Sequence, residues 1–98
     1  MAVDRGLLAT LKAKPGKGDE LGEFLRKGRG LAAQEDGTVT WYAFRLDDTT
    51  YGIFDTFESE DARQAHVNGQ IPAALQDVAS DLLAEDAVIS PIDVLAVK

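Results

Sequence analysis

The chain has no cysteine and only one histidine, one methionine, one tryptophan and three prolines among its 98 residues. Without thiols there is no disulfide framework, no thiolate metal site and no cysteine nucleophile, a composition that fits a reducing, cytoplasmic setting. A single histidine also falls short of an ordinary zinc site, so no metal is expected. Long apolar runs are missing. The longest, residues 41–44 and 94–97, are four residues each, where a membrane span needs roughly 18. Residues 1–11 are too mixed in polarity for a signal peptide. Positive charge is scarce as well: ten Lys and Arg against seventeen Asp and Glu give a formal net charge of -7. That charge repels phosphate backbones and anionic lipid, so neither nucleic acid nor a membrane is an expected partner. A phosphate loop, a G-x-S-x-G elbow, a dinucleotide fingerprint and EF-hand spacing are all absent, and Gly16-Lys17-Gly18 is too short to stand in for any of them.

What is present is a chain that is 45% hydrophobic, enough for one domain spanning residues 1–98. Residues 5–14 alternate, with Leu7, Ala9, Leu11 and Ala13 on one side, and predict a strand that stops at Pro15-Gly16. Residues 18–35 predict a helix, because Leu21, Phe24, Leu25, Gly28, Leu31 and Ala32 recur at three- and four-residue spacing behind Asp19 and Glu20. Gly28 falls on that apolar stripe, which suits close packing on a sheet; Gly30 has no such rationale. Residues 38–46 and 50–57 are rich in β-branched and aromatic side chains, and the polar Asp47-Asp48-Thr49 between them predicts an antiparallel hairpin. Ser59 then caps a short helix that stops at Asn68-Gly69, and Pro72 opens another, with Ile71, Ala74, Leu75, Val78 and Leu82 as its buried stripe. Residues 88–97 predict a last strand, interrupted at Pro91, a residue suited to an edge.

Strand, helix, strand, strand, broken helix, strand is the order of the ferredoxin-like split βαβ fold, an α+β architecture with a four-stranded antiparallel sheet and its helices on one face. In such a sheet each strand should have one polar side. Here Trp41 and Ala43 oppose Tyr42 and Phe44, Ile53 and Phe57 oppose Phe54, and Ile92, Val94 and Ala96 oppose Leu95 and Val97. Both faces are apolar. One small helical layer cannot cover both, so the second face is expected to pack against another copy of the chain, giving a homodimer.

Few residues carry chemistry. His66 lies on the apolar side of its short helix beside Ala62 and Ala65, and should point toward the sheet, where a titratable imidazole can act as base or acid near neutral pH. Asp55 sits inside an apolar strand, so it must be ionised and paired or else protonated; Arg45 across the hairpin is a candidate partner, and orienting a ligand is the alternative. Asp93 poses the same question more weakly. Trp41, Tyr42, Phe44, Tyr51, Phe54 and Phe57 cluster on the hairpin, where they serve as core or stack on a planar aromatic ligand.

The segment Tyr51-Gly52-Ile53-Phe54-Asp55-Thr56-Phe57-Glu58-Ser59-Glu60-Asp61-Ala62-Arg63-Gln64-Ala65-His66 resembles the antibiotic biosynthesis monooxygenase superfamily, including its small quinol-monooxygenase-like proteins. The opening Leu7-Leu8-Ala9-Thr10-Leu11-Lys12-Ala13-Lys14-Pro15-Gly16-Lys17-Gly18 is similar to that family's first strand and turn. The resemblance implies a dimeric α/β barrel and oxidation of anthrones or hydroquinones by O₂, with no flavin, haem or metal cofactor. It gives Asp55 the family's acidic position, Phe57 the following aromatic and His66 the helix histidine; joined to the hairpin's own aromatic cluster, the expectation is a catalytic pair of His66 as base and Asp55 setting polarity or orienting it, with Trp41, Tyr51, Phe54 and Phe57 lining a site for a small aromatic molecule. Asp55 and Phe57 stand where many relatives have Glu and Trp, and Ile71 where some quinol-oxidising members have a second His. The absence of Asn from residues 7–13 argues against haem degradation. A non-catalytic binding protein and a cyclase or isomerase on the same scaffold are the alternative readings.

Overall fold

The computed structural model describes residues 3–98, so Met1 and Ala2, with their share of the single-domain and leader-peptide readings, lie outside the described residues. Seven elements follow the expected order: β1 (Arg5–Lys12), α1 (Gly18–Ala32), β2 (Thr38–Arg45), β3 (Thr50–Phe57), α2 (Glu60–Val67), α3 (Gln70–Leu82) and β4 (Val88–Asp93). The strands form one antiparallel sheet in the order β2-β3-β1-β4. This is the ferredoxin-like α+β fold. Among the described residues no helix is long and apolar enough to cross a membrane.

The period of two in the strands decides what the helices cover. Leu7, Ala9, Leu11 and Ala13 of the first strand segment and Tyr51, Ile53, Asp55 and Phe57 of β3 are all buried. Leu21 and Leu25 of α1 and Leu75 and Leu82 of α3 join Ala9, Leu11, Ala13, Tyr51 and Ile53 in one core cluster. Trp41 and Ala43 stand opposite Asp55 and Ile53 in the ladder and so share this face. Leu8, Tyr42, Phe44 and Phe54 point the other way, where Tyr42 and Phe54 stack at 6.4 Å.

Four element ends differ from the sequence expectation, the smallest difference being that of β2, which stops at Arg45 and not at residue 46. The first strand stops at Lys12, with Ala13 making only an isolated bridge to Leu83. Helix α1 stops at Ala32, and residues 33–35 form a turn in which the Glu35 amide donates to the Ala32 carbonyl at 3.1 Å. The last strand ends at Asp93, well short of residue 97. Its only ladder is with β1, whose first residue, Arg5, pairs with Asp93; one further bond, from the Val94 amide to the Asp4 carbonyl, closes the pairing. Leu95 and Val97 therefore lie beyond the sheet. Pro91, opposite Leu7 on this edge strand, needs no partner on its outer side.

Two glycines set the helix positions. A Cβ on Gly28 would stand 3.2 Å from the Trp41 ring, so its place on the α1 stripe does serve close packing, whereas Gly30 has open space around it. A Cβ on Gly37, at the mouth of β2, would stand 2.5 Å from the Cβ of Ala62 on α2. Helix α2 can lie this low over the sheet only because both residues are small. Gly37→Val is expected to lift α2 and to lower unfolding stability by about 1–3 kcal/mol, measured by urea denaturation; an unchanged midpoint would contradict this packing.

Candidate functional site

Alternation along β3 aims Asp55 at the helical layer, where it is 1% exposed. A carboxylate that far from water needs a charge-bearing partner. Helix α2 supplies it. The Ser59 hydroxyl accepts from the Ala62 amide and fixes the start of the helix, while Glu60 and Asp61 in the first turn suit its positive end. Two turns later His66 faces down between α2 and the sheet, in the last turn, where the helix dipole favours positive charge.

The imidazole is held at both nitrogens. Nε2 lies 3.0 Å from Asp55 Oδ2, and Nδ1 lies 2.6 Å from Glu35 Oε1. The Thr38 hydroxyl donates to the same Glu35 oxygen at 2.7 Å. The Phe57 ring packs against the imidazole with centroids 5.1 Å apart. Burial pushes the imidazole pKa down, but the hydrogen bonds and negative charges of Asp55 and Glu35 outweigh burial, so His66 titrates above its ordinary value. With a carboxylate on either side, the ring is best satisfied as an imidazolium that donates from both nitrogens. The three acidic and imidazole groups do not converge on a point, and among the described residues no cluster of His, Asp or Glu is arranged to hold a metal ion.

The site opens in two directions. Toward β4, Asp55 and His66 share a narrow, almost wholly apolar cavity of about 50 Å³ with Leu7, Ala9, Ile53, Val67, Ile71, Pro72, Leu75 and Ile89. On the other side of the imidazole, Glu35 and His66 line a polar cleft of about 310 Å³ with Gly37, Thr38, Ala62 and Gln70 among its walls. Among the described residues, two buried side-chain polar atoms have no partner: Asp55 Oδ1 and Trp41 Nε1. One accepts, the other donates, and they belong to residues directly opposite in the β2–β3 ladder.

The sequence assigned His66, Asp55, Trp41 and Phe57 to one site; Asp55 and Phe57 do meet His66, whereas Trp41, opposite Asp55 in the ladder, packs its ring on Gly28 and lines a separate groove with Arg29 and Thr40. The Arg45 partner expected for Asp55 is not the one found. Arg45 stands opposite Tyr51, four pairs along the ladder, and the position opposite Asp55 is taken by Trp41. Asp93 ends an edge strand, exposed, opposite Arg5. Tyr51 is buried on the same face but lines a different groove, with Gly18, Gly22 and Arg26 of α1. Phe54, one residue from Asp55, lies on the opposite face of the sheet. Glu35 was not singled out at all. It stands 31 positions before His66, and no local pattern marks it.

The raised pKa fixes a sign. Protonated His66 contributes stability that is full below the unfolded value of about 6.5 and is lost as pH rises through the higher folded value. The wild type is therefore expected to lose more thermal stability between pH 6 and pH 9 than His66→Gln, which has nothing to titrate there. Parallel losses in calorimetry would show that the imidazolium is not the bound form.

A family model described as antibiotic biosynthesis monooxygenase matches residues 5–84. Among solved structures, a protein of unknown function from Nitrosomonas europaea is 42% identical, with 98% of this chain and 93% of that one covered and a TM-score of 0.95. A candidate antibiotic biosynthesis monooxygenase from Caulobacter crescentus is 23% identical over 96% of this chain and 92% of its own, with a TM-score of 0.80. Another candidate of the same description, from Nitrosomonas europaea, is 15% identical over 97% and 93%, with a TM-score of 0.83. At these lower identities the likeness is one of fold. A search of curated proteins finds no match. The family match covers the strand and helix that hold Asp55 and His66, and the chain belongs to the antibiotic biosynthesis monooxygenase family.

Proposed function

We propose that the protein is a cofactor-independent oxygenase that uses O₂ to oxidise a small aromatic quinol or polyketide-type substrate. The observation that carries this reading is the buried Asp55–His66 pair at the wall of an apolar cavity, with Asp55 Oδ1 left free. A phenol or an activated methylene is a poor electron donor until it loses a proton. Once deprotonated in a dry site it is electron-rich enough to reduce O₂ itself, so the protein need supply only a base, orientation and exclusion of water. A quinol gives two electrons and two protons to O₂, yielding quinone and hydrogen peroxide. An activated methylene becomes a carbonyl, with the second oxygen atom leaving as water.

The imidazole has no nitrogen to spare, since both face carboxylates. The proton is therefore taken by the Asp55–His66 pair as a unit, and Asp55 Oδ1 is its free acceptor. Trp41, although opposite Asp55 in the ladder, packs on Gly28 and does not line this cavity, so the substrate hydroxyl is met by Asp55 Oδ1 alone. The cavity is smaller than an aromatic ring, so entry requires Val67 and Pro72, at the α2–α3 elbow, to part from Ile89 on the edge strand. Phe57 packs behind the imidazole and fixes its plane.

The functional unit is a dimer formed through the open sheet face. Leu8 is 37%, Tyr42 59% and Val88 60% exposed on that face, and the apolar strip they form with Phe44 and Phe54 is the kind that a second copy covers. Sedimentation equilibrium at micromolar concentration is expected to give twice the 10.5 kDa chain mass; a mass of one chain would count against the dimer.

Aerobic incubation with anthrones and hydroquinones, followed by quinone absorbance and O₂ uptake, tests the activity. Wild type is expected to turn over, and Asp55→Asn and His66→Ala to lose about 100-fold or more of kcat. Binding without oxidation would leave a ligand carrier instead, and product without O₂ uptake a cyclase or isomerase.

A further inference from the structure

His66 stands between a dry cavity and a wet cleft, and each of its nitrogens faces a different carboxylate. On the cavity side Asp55 is almost wholly buried, with a side-chain exposure of 2%. On the cleft side Glu35 keeps 22% of its side chain in contact with solvent. The two acids are therefore not equivalent, although the same imidazole joins them. Asp55 alone lines the apolar cavity, and Glu35 alone meets water.

We propose that Glu35 is the positioning residue of this site: by accepting from Nδ1 it holds His66 as a doubly donating imidazolium, whose Nε2–H secures the Asp55 carboxylate with Oδ1 free to take the substrate's proton. This role rests on the oxygenase reading for its purpose but not for its geometry. An imidazole buried without an anion at Nδ1 gives that proton up, because burial penalises the charged ring. It would then be a neutral neighbour to Asp55, a weaker support for a carboxylate out of water. Glu35 prevents this from outside the cavity. The Thr38 hydroxyl, bonded to the same Oε1, fixes the carboxylate toward the ring, and the turn at residues 33–35 brings it there.

The remaining surroundings offer His66 no further counter-charge. From β3 the facing acid is Asp55, and from the segment after α1 it is Glu35, with Asp36 further along the cleft wall. Helix α3 presents Ile71, Pro72 and Leu75 to the cavity and the uncharged Gln70 to the cleft. The proton balance is simple. The substrate's X–H bond breaks, its electron pair stays on the substrate, and the proton forms a bond to Asp55 Oδ1. His66 keeps both of its protons and Glu35 its charge. Asp55 then returns the proton to the reduced oxygen derived from O₂, and the second proton of hydrogen peroxide comes from the quinol's other hydroxyl.

Because His66 is the only histidine, its ring protons report on it without ambiguity. In a proton NMR titration, Glu35→Gln, which retains an oxygen for Nδ1–H and for Thr38, is expected to move the His66 midpoint down by about one pH unit or more. A midpoint within about 0.2 unit of wild type would overturn the proposal. Nitrogen shifts of the wild-type ring at neutral pH give a readout that needs no variant: both nitrogens are expected to be protonated, and one bare nitrogen would overturn it. In turnover, kcat is expected to fall about tenfold with KM within about twofold, and the alkaline limb of the kcat profile to move down with the NMR midpoint. A lowered midpoint in a protein that oxidises no quinol would sink the oxygenase reading and leave Glu35's role intact. Turnover with an unmoved midpoint would do the reverse.

Discussion

Asp55 is a carboxylate with 1% of its surface in water, and the need to partner it organises the rest of the site. Leaving such a charge unpaired would cost several kcal/mol, comparable to the net stability of a small domain. The chain meets that need with its single histidine, 11 residues on, carried by a two-turn helix that must lie low over the sheet. The capping hydroxyl of Ser59 starts that helix, and the absence of side-chain bulk at Gly37 and Ala62 lets it come down far enough. The imidazole in turn needs an anion at its other nitrogen, and Glu35 meets it from the turn after α1. Fold and site are thus tied by one chain of obligations: a buried acid, a base to answer it, and a second acid to keep that base charged.

This arrangement separates two jobs that a surface site would mix. The dry cavity beside β4 is lined by Asp55, whose Oδ1 has no partner, while the cleft beside β2 holds Glu35, which keeps part of its side chain in contact with solvent. The imidazole joins them without opening one to the other. In the proposed mechanism this chain, whose residues 5–84 match the family model, has a base that is held from the wet side and used on the dry side. In a chain that has no cysteine, the proposed chemistry draws its electrons from the substrate, and the protein's part is protonic.

Much of this was legible in the residues. Pro15-Gly16, Asp36-Gly37 and Asn68-Gly69 punctuate the chain where its elements change, because each pair suits a turn better than a helix or strand. The alternation of Tyr51, Ile53, Asp55 and Phe57 put the acid on the helical face, and the place of His66 beside Ala62 and Ala65 aimed it at the same layer. Gly28 on the α1 stripe did mark a close approach, to Trp41. What stayed hidden is non-local. Opposite charge on adjacent strands favoured Arg45 for Asp55, but the ladder sets Arg45 against Tyr51 and leaves the acid to a helix. The end of the last strand depends on where β1 begins, which no pattern within residues 88–97 records. Glu35 leaves its helix before it reaches His66, so helical periodicity, the strongest local signal, says nothing about where its side chain goes.

The central claim is that Asp55 Oδ1, held by His66, is the atom that meets the substrate. A crystal structure with a bound hydroquinone or a redox-inert phenol tests it most directly. The expected result is a planar ring in the widened cavity between β4 and the α2–α3 elbow, with its oxygen within hydrogen-bonding distance of Asp55 Oδ1 and the Asp55–His66–Glu35 contacts unbroken. A ring seated instead in the groove between α1 and β2 beside Tyr51, or one bound directly to His66 with Asp55 displaced, would contradict it.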